Sequence, residues 1–129
     1  MSQKILIADD EPNILISLEF LMKREGYEVL LARDGQEALD VMARERPDLV
    51  LLDVMMPVKT GFDVCHEVRA SESLRHVPIL MLTAKGRETD VAKGLALGAD
   101  AYMTKPFSTR ELVQKVQELL GGPRAESGA

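Results

Sequence analysis

The chain has 129 residues, 46% of them apolar and 29% charged, with a formal net charge of −5. That length suits one domain able to bury about two-thirds of the surface its unfolded form exposes. The acidic balance argues against a general nucleic-acid or anionic-membrane binder, and the single cysteine, Cys65, excludes an intramolecular disulfide and suits a reducing compartment.

Lys4 to Ala8 predicts a first strand, which runs into Asp9-Asp10-Glu11-Pro12, where the proline can open a helix. Ile14, Leu15, Leu18, Leu21 and Met22 then recur at the spacing of one helical face, and Gly26 stops that helix. Glu28 to Ala32 is a second strand. Asp34-Gly35 starts a second helix, with Ala38, Leu39, Val41 and Met42 on its apolar side and Pro47 closing it. Asp48 to Asp53 is a third strand; its branched apolar run is that of a strand buried on both faces. A third helix spans Gly61 to about Ala70, with Val64, Cys65 and Val68 inward.

Pro78 to Leu82 is a fourth strand, ending at Thr83-Ala84. A fourth helix runs from about Glu88 to Leu97, stopped by Gly98 and weakened by Gly94 within it. Ala101 to Thr104 is a short fifth strand before Lys105-Pro106. Ser108 caps a last helix, with Glu111 completing a capping box and Leu112, Val113, Val116, Leu119 and Leu120 inward. The expected domain is 1–120, and 121–129 reads as a flexible tail or the start of a linker. Alternating strands and helices with short connections predict a doubly wound α/β fold, a (βα)5 unit with a five-stranded parallel sheet. No apolar run reaches the roughly 18 residues of a membrane span, and the opening Met1-Ser2-Gln3-Lys4 is unlike a signal peptide, so the expected location is cytoplasmic.

Parallel strands share one carboxyl edge, where open α/β sheets place their chemistry. Asp9 and Asp10 reach that edge from the first strand, Asp53 from the third, Thr83 from the fourth and Lys105 from the fifth. Singly, each has a plainer reading: Asp53 as a strand's exit into solvent, the Asp9-Asp10 pair as acids at a helix start, Lys105 as a surface charge. Together they are harder to obtain by chance. Two carboxylates about 4 Å apart repel by roughly 4 kcal/mol at an effective dielectric near 20. Three take up a proton or bind a cation, and oxygen donors with room for water favour magnesium over zinc. His66 and His76 lie away from these loops in sequence and are expected to face solvent. A divalent ion beside Asp53 would neutralise an incoming phosphoryl group. Lys105, Thr83 and the Ala84 N–H would engage its oxygens, leaving Asp53 as the nucleophile that forms an acyl phosphate.

These residues carry a resemblance. Asp9-Asp10, Asp53 with Pro57 and Gly61 behind it, Thr83-Ala84, and the run from Gly94 to Lys105-Pro106-Phe107 resemble the receiver domain of two-component response regulators, chemotaxis regulators included, from Lys4 to about Leu120. The resemblance implies the flavodoxin-like strand order 2-1-3-4-5. It implies that Asp53 accepts a phosphoryl group from a histidine kinase, a phosphotransfer protein or a small donor such as acetyl phosphate. Magnesium, or manganese, would sit on Asp10, Asp53 and the Met55 backbone carbonyl, with Asp9 acting mostly through water. Lys105 would bridge to the phosphoryl group, and the Lys105–Pro106 bond would be cis. Thr83 and Tyr102 would form the switch, Tyr102 turning inward as Thr83 moves. The face of the fourth helix, fifth strand and fifth helix would then engage a downstream partner. Such a domain is not an enzyme beyond its own phosphorylation and dephosphorylation.

Met55 and Lys85 stand two residues beyond Asp53 and Thr83, and neither supplies a carboxylate or amide to orient water, so slow self-dephosphorylation is expected. Val91, Ala101 and Gln117 replace the charged trio that pairs receivers of winged-helix transcription factors, so the expected state is a monomer or a weak phosphorylation-dependent dimer. The Met55-Met56 pair is expected to pack in its loop. Two rivals fit less well. An aspartate-nucleophile phosphohydrolase usually carries a second Asp where Met55 stands, and a flavin-phosphate binder needs donors where Asp9-Asp10-Glu11 stands.

Overall fold

A computed structural model describes residues 2–84 and 88–121. Five strands alternate with five helices: β1 (Lys4–Ala8), α1 (Pro12–Arg24), β2 (Glu28–Ala32), α2 (Gly35–Glu45), β3 (Leu49–Asp53), α3 (Gly61–Ala70), β4 (Ile79–Ala84), α4 (Glu88–Ala96), β5 (Ala101–Lys105) and α5 (Thr109–Leu119). The strands form one parallel sheet in the order β2-β1-β3-β4-β5, as expected.

Strand periodicity divides the core in two. Leu49 and Leu51 of β3 join Ile5, Ile7, Leu80 and Leu82 beneath α1 and α5. Val50 and Leu52 join Leu6, Ile79 and Met81 beneath α2, α3 and α4. Because β3 sits mid-sheet, every one of its residues is buried, which explains its continuous apolar run. Helix starts follow local chemistry. The Asp34 side chain accepts from the Glu37 N–H at 2.7 Å, and Thr60 with Asp63 and Ser108 with Glu111 form capping boxes.

Four elements differ in their bounds from the sequence expectation. β3 begins at Leu49, because the Asp48 carboxylate accepts from the Lys4 N–H at 2.7 Å rather than continuing the ladder as a strand residue. β4 begins at Ile79 and extends through Thr83 and Ala84, since Pro78 has no N–H to donate. β5 extends to Lys105, which pairs in register with Ala84. α4 stops at Ala96, one residue before the expected end. α4 continues through Gly94, where a Cβ would lie 3.2 Å from Met81 Cε; its absence lets the helix pack closely on β4.

Cys65 is buried between Val64 and Val68, and His66 and His76 are exposed, as expected. Met56 packs inward, but Met55 is 55% exposed, because the loop after β3 turns it out over the sheet edge. Lys85, and all of the expected tail except Gly121, lie outside the described residues. Among the described residues no helix is long and apolar enough to cross a membrane.

Candidate functional site

The parallel register brings the strand ends to one edge. Ala8 pairs with Leu52, so Asp9 and Asp53 follow side by side, and Asp53 pairs with Leu82, one residue before Thr83. Ala84 pairs with Lys105 on the far side of β4. Asp9, Asp10 and Asp53 each turn a carboxylate oxygen to within 4.8 Å of the others. Asp9 is fully buried, Asp53 nearly so, and Asp10 is exposed.

Lys105 Nζ lies over this cluster, 3.0 Å from Asp9 Oδ2, 3.4 Å from Asp53 Oδ1 and 3.5 Å from Glu11 Oε1. Asp9 Oδ1 accepts from the Glu11 N–H at 2.9 Å, so both oxygens of Asp9 are engaged at the start of α1. Burial, reinforced by the Asp9 charge, pushes the Asp53 carboxyl up to about 6, with Lys105 acting the other way. Burial pulls the Lys105 ammonium down. Its hydrogen bond to Asp9 and the charges of Asp53 and Asp9 outweigh that, and its pKa lies above the ordinary lysine value. One ammonium thus offsets part of the repulsion among three carboxylates, and the excess negative charge suits a hard cation.

Glycine sets the loop behind Asp53. The Gly61 N–H donates to the Val54 carbonyl at 2.9 Å, and a Cβ on Gly61 would collide with the Asp53 carbonyl oxygen. A Cβ on Gly35 would likewise collide with the Lys59 carbonyl, where the loop meets the start of α2. Between these points the Lys59 N–H donates to the Pro57 carbonyl at 2.8 Å across Val58, whose φ is +69°. That is a γ-turn of the rare, strained hand, centred on a β-branched residue. Met55, earlier in the same loop, stands at the rim of the site.

The resulting cavity has a charged floor of Asp10, Asp53 and Lys105 and an apolar wall of Ile14, Met55, Pro106 and Phe107. The Lys105–Pro106 bond is cis. Thr83 is fully buried behind the cavity, and its Oγ1 has no hydrogen-bond partner among the described residues. Tyr102 pairs with Met81, two residues before the Thr83–Thr104 pair on the same two strands, and is 45% exposed.

The structure therefore brings Asp9, Asp10, Asp53 and Lys105 into one cluster, places Thr83 behind it, and carries Met55 and Pro57 in the loop beside it, with Gly61 opening α3. Tyr102 stands apart. The sequence reading passed over Glu11 as a third partner of Lys105; the signal was the third consecutive acid before Pro12. Ile14, expected on the apolar face of the first helix, and Phe107, expected beside Lys105-Pro106, both line the cavity wall, a place that no local pattern announces.

The oxygen-only donor set fits a hexacoordinate divalent ion such as magnesium, which keeps several waters. The family model of the response regulator receiver domain matches residues 5–117. Among solved structures, the signal receiver domain of a signal transduction histidine kinase from Syntrophus aciditrophicus is 34% identical, with a TM-score of 0.87, covering 95% of this chain and 92% of that one. The receiver domain of sensor histidine kinase PA1611 from Pseudomonas aeruginosa PAO1, solved with a magnesium ion coordinated in its active-site cleft, is 35% identical. Its TM-score is 0.87, and the match covers 95% of this chain and all of that one, 100%. Chemotaxis response regulator CheY4 of Vibrio cholerae is 35% identical, with a TM-score of 0.86, covering 92% of this chain and 99% of that one. With the strand order, the acidic cluster and these likenesses in agreement, the chain belongs to the response regulator receiver domain family.

Proposed function

We propose that this receiver is a phosphorylation-controlled switch and that Asp53 is its phosphoacceptor. The observation that carries the reading is Lys105 Nζ, which lies between Asp9 and Asp53 above three converging carboxylates. Asp53, when ionised, attacks the phosphorus of a phosphohistidine on a kinase or phosphotransfer partner, or of acetyl phosphate. The new bond is phosphorus to Asp53 oxygen; the phosphorus to donor bond breaks, and the donor leaves with the electron pair. Asp10, Asp53 and the Met55 carbonyl, with Asp9 through water, would hold a magnesium ion, which would supply charge neutralisation for the phosphoryl oxygens. Lys105 moves from Asp53 toward the same oxygens.

The Thr83 hydroxyl, buried and without a partner among the described residues, then gains an acceptor in the phosphoryl group. The exposed Tyr102 ring turns inward behind it, and the α4-β5-α5 face changes shape toward a downstream protein. Val91, Ala101 and Gln117 on that face are half-buried and supply no ionic trio, in keeping with a monomer or a weak dimer. The chain works in the cytoplasm and, apart from its own phosphorylation and dephosphorylation, is not an enzyme.

Intact mass after acetyl phosphate and magnesium tests the reading. The wild type gains one phosphoryl group and Asp53→Asn gains none; a group that survives the substitution overturns the assignment. Followed over time, the same adduct persists for well beyond seconds, because Met55 at the rim offers no group to orient an attacking water.

A further inference from the structure

Arg69, in the last turn of α3, makes four hydrogen bonds far from the acidic edge. Its Nε donates to the Gly98 carbonyl at 2.8 Å, and Nη1 donates to the Arg75 and Val77 carbonyls at 2.9 and 2.8 Å. Its Nη2 pairs with Asp100 Oδ2 at 2.8 Å. The same Asp100 oxygen accepts from the Ile79 N–H at 2.8 Å, and the Asp100 N–H donates back to the Ile79 carbonyl at 3.0 Å. Gly98 has a φ of +108°, and a Cβ there would lie 2.9 Å from Arg69 Cγ, so this glycine both makes the turn and admits the guanidinium. Cys65 Sγ adds a bond to the Leu97 carbonyl at 3.5 Å. One planar fork thus joins α3, the connection to β4, the first residue of β4 and the carboxyl end of α4. A lysine cannot reproduce that geometry.

Position along the sheet gives this knot a meaning. α4 runs back against β4. Its amino end starts from the edge that holds Asp53 and Thr83, and its carboxyl end returns to the edge that holds Ile79. The Val54 N–H donates to the Leu82 carbonyl at 3.2 Å, so a change at Asp53 acts on the carboxyl end of β4. The Gly94 contact with Met81 also lies in the carboxyl half of α4. At 1.5 Å per residue the helix separates the two ends by about 13 Å.

We propose that Arg69 is a positioning residue that anchors the carboxyl end of α4. The helix is then a lever hinged at residues 97–100, with its amino end as the moving end. The anchor stands on the geometry alone; the event that drives the lever rests on the phosphoryl reading above.

Amide hydrogen exchange on the full chain, resolved residue by residue, decides it. In the wild type the N–H groups of Leu97, Ala99 and Asp100 exchange more slowly than those of Val91 and Ala92. In Arg69→Gln they exchange at least tenfold faster while the β3 amides keep their rates, and Arg69→Lys does not restore them. Rates within twofold of wild type in Arg69→Gln, an equal acceleration in β3, or a wild-type gradient running the other way overturns the anchor. If Arg69→Gln does not fold, Asp100→Asn, which keeps an acceptor for the Ile79 N–H, serves in the same comparison. With acetyl phosphate and magnesium, wild-type amide shifts change more over residues 89–93 than over 97–100; the reverse overturns the lever. Failure to take up a phosphoryl group sinks the reading of Asp53 and leaves the exchange result to decide the anchor.

Discussion

The two ends of β4 are built on opposite terms. At its amino end the Ile79 N–H and C=O are both bonded to Asp100, Asp100 is paired with Arg69 Nη2, and Arg69 Nε and Nη1 meet carbonyls. At its carboxyl end Thr83 keeps a buried hydroxyl without a partner among the described residues, Asp53 is forced toward its neutral form, and the adjoining loop holds Val58 at φ +69°. The difference is that the polar groups at the amino end are satisfied within the fold, whereas those at the carboxyl end, at the acidic cluster, are not.

Cutting the shared interior sets the scale of that comparison. Leu51→Ala removes a fully buried side chain and lowers unfolding free energy by about 2–5 kcal/mol, measured by urea denaturation. Substitutions at the carboxyl edge run the other way. The Asp53 pKa of about 6 lies above its ordinary value of 3.8, so the folded state favours the protonated form. Its contribution is therefore fully present below about pH 4 and is lost as pH rises through about 6. Asp53→Asn, neutral throughout, matches the wild type near pH 4 and is more stable by about 1–2 kcal/mol at neutral pH without divalent ions. A difference that stays flat across that range would break the contrast.

Thr83→Val removes the unpartnered hydroxyl. It stabilises the fold by about 1 kcal/mol in thermal denaturation, while phosphorylated protein loses the accompanying change at Tyr102, followed by ring resonances. Loss of stability would mean that the hydroxyl already has a partner. The smallest effect belongs to Val58→Gly, which relieves the left-handed conformation. Against the greater flexibility of the unfolded glycine chain the gain is about 0.5 kcal/mol, read as a small rise in denaturation midpoint.

Much of the settled part of the molecule was legible in the sequence. The continuous run Leu49 to Leu52 could be read as a central strand because burial on both faces leaves no polar alternation. The capping residues Asp34 and Ser108 could be read because their chemistry is local. At the site, Asp9, Asp10, Asp53 and Lys105 were legible because parallel topology sends strand ends to a common edge. The rest had no local signal. Arg69 looks like any charge on a helix, since its partners are mainly carbonyls, which every residue carries. Glu11 was hidden among three acids until Lys105 was seen to reach it. Nothing in Pro57-Val58 announces a positive φ; the surrounding contacts at Gly35 and Gly61 impose it. Gly94 signalled a weak helix, when it is the close approach of Met81 that calls for it.

Cys65 offers a practical consequence of the α3–α4 contact. Its thiol is buried, is raised in pKa chiefly by that burial, and is hydrogen-bonded to the last carbonyl before Gly98. Because the thiolate is the reactive species, alkylation of the native protein must wait for this corner to open. As the chain has one cysteine, the labelling rate of unmodified protein is a single-site clock for that opening, readable without any introduced probe.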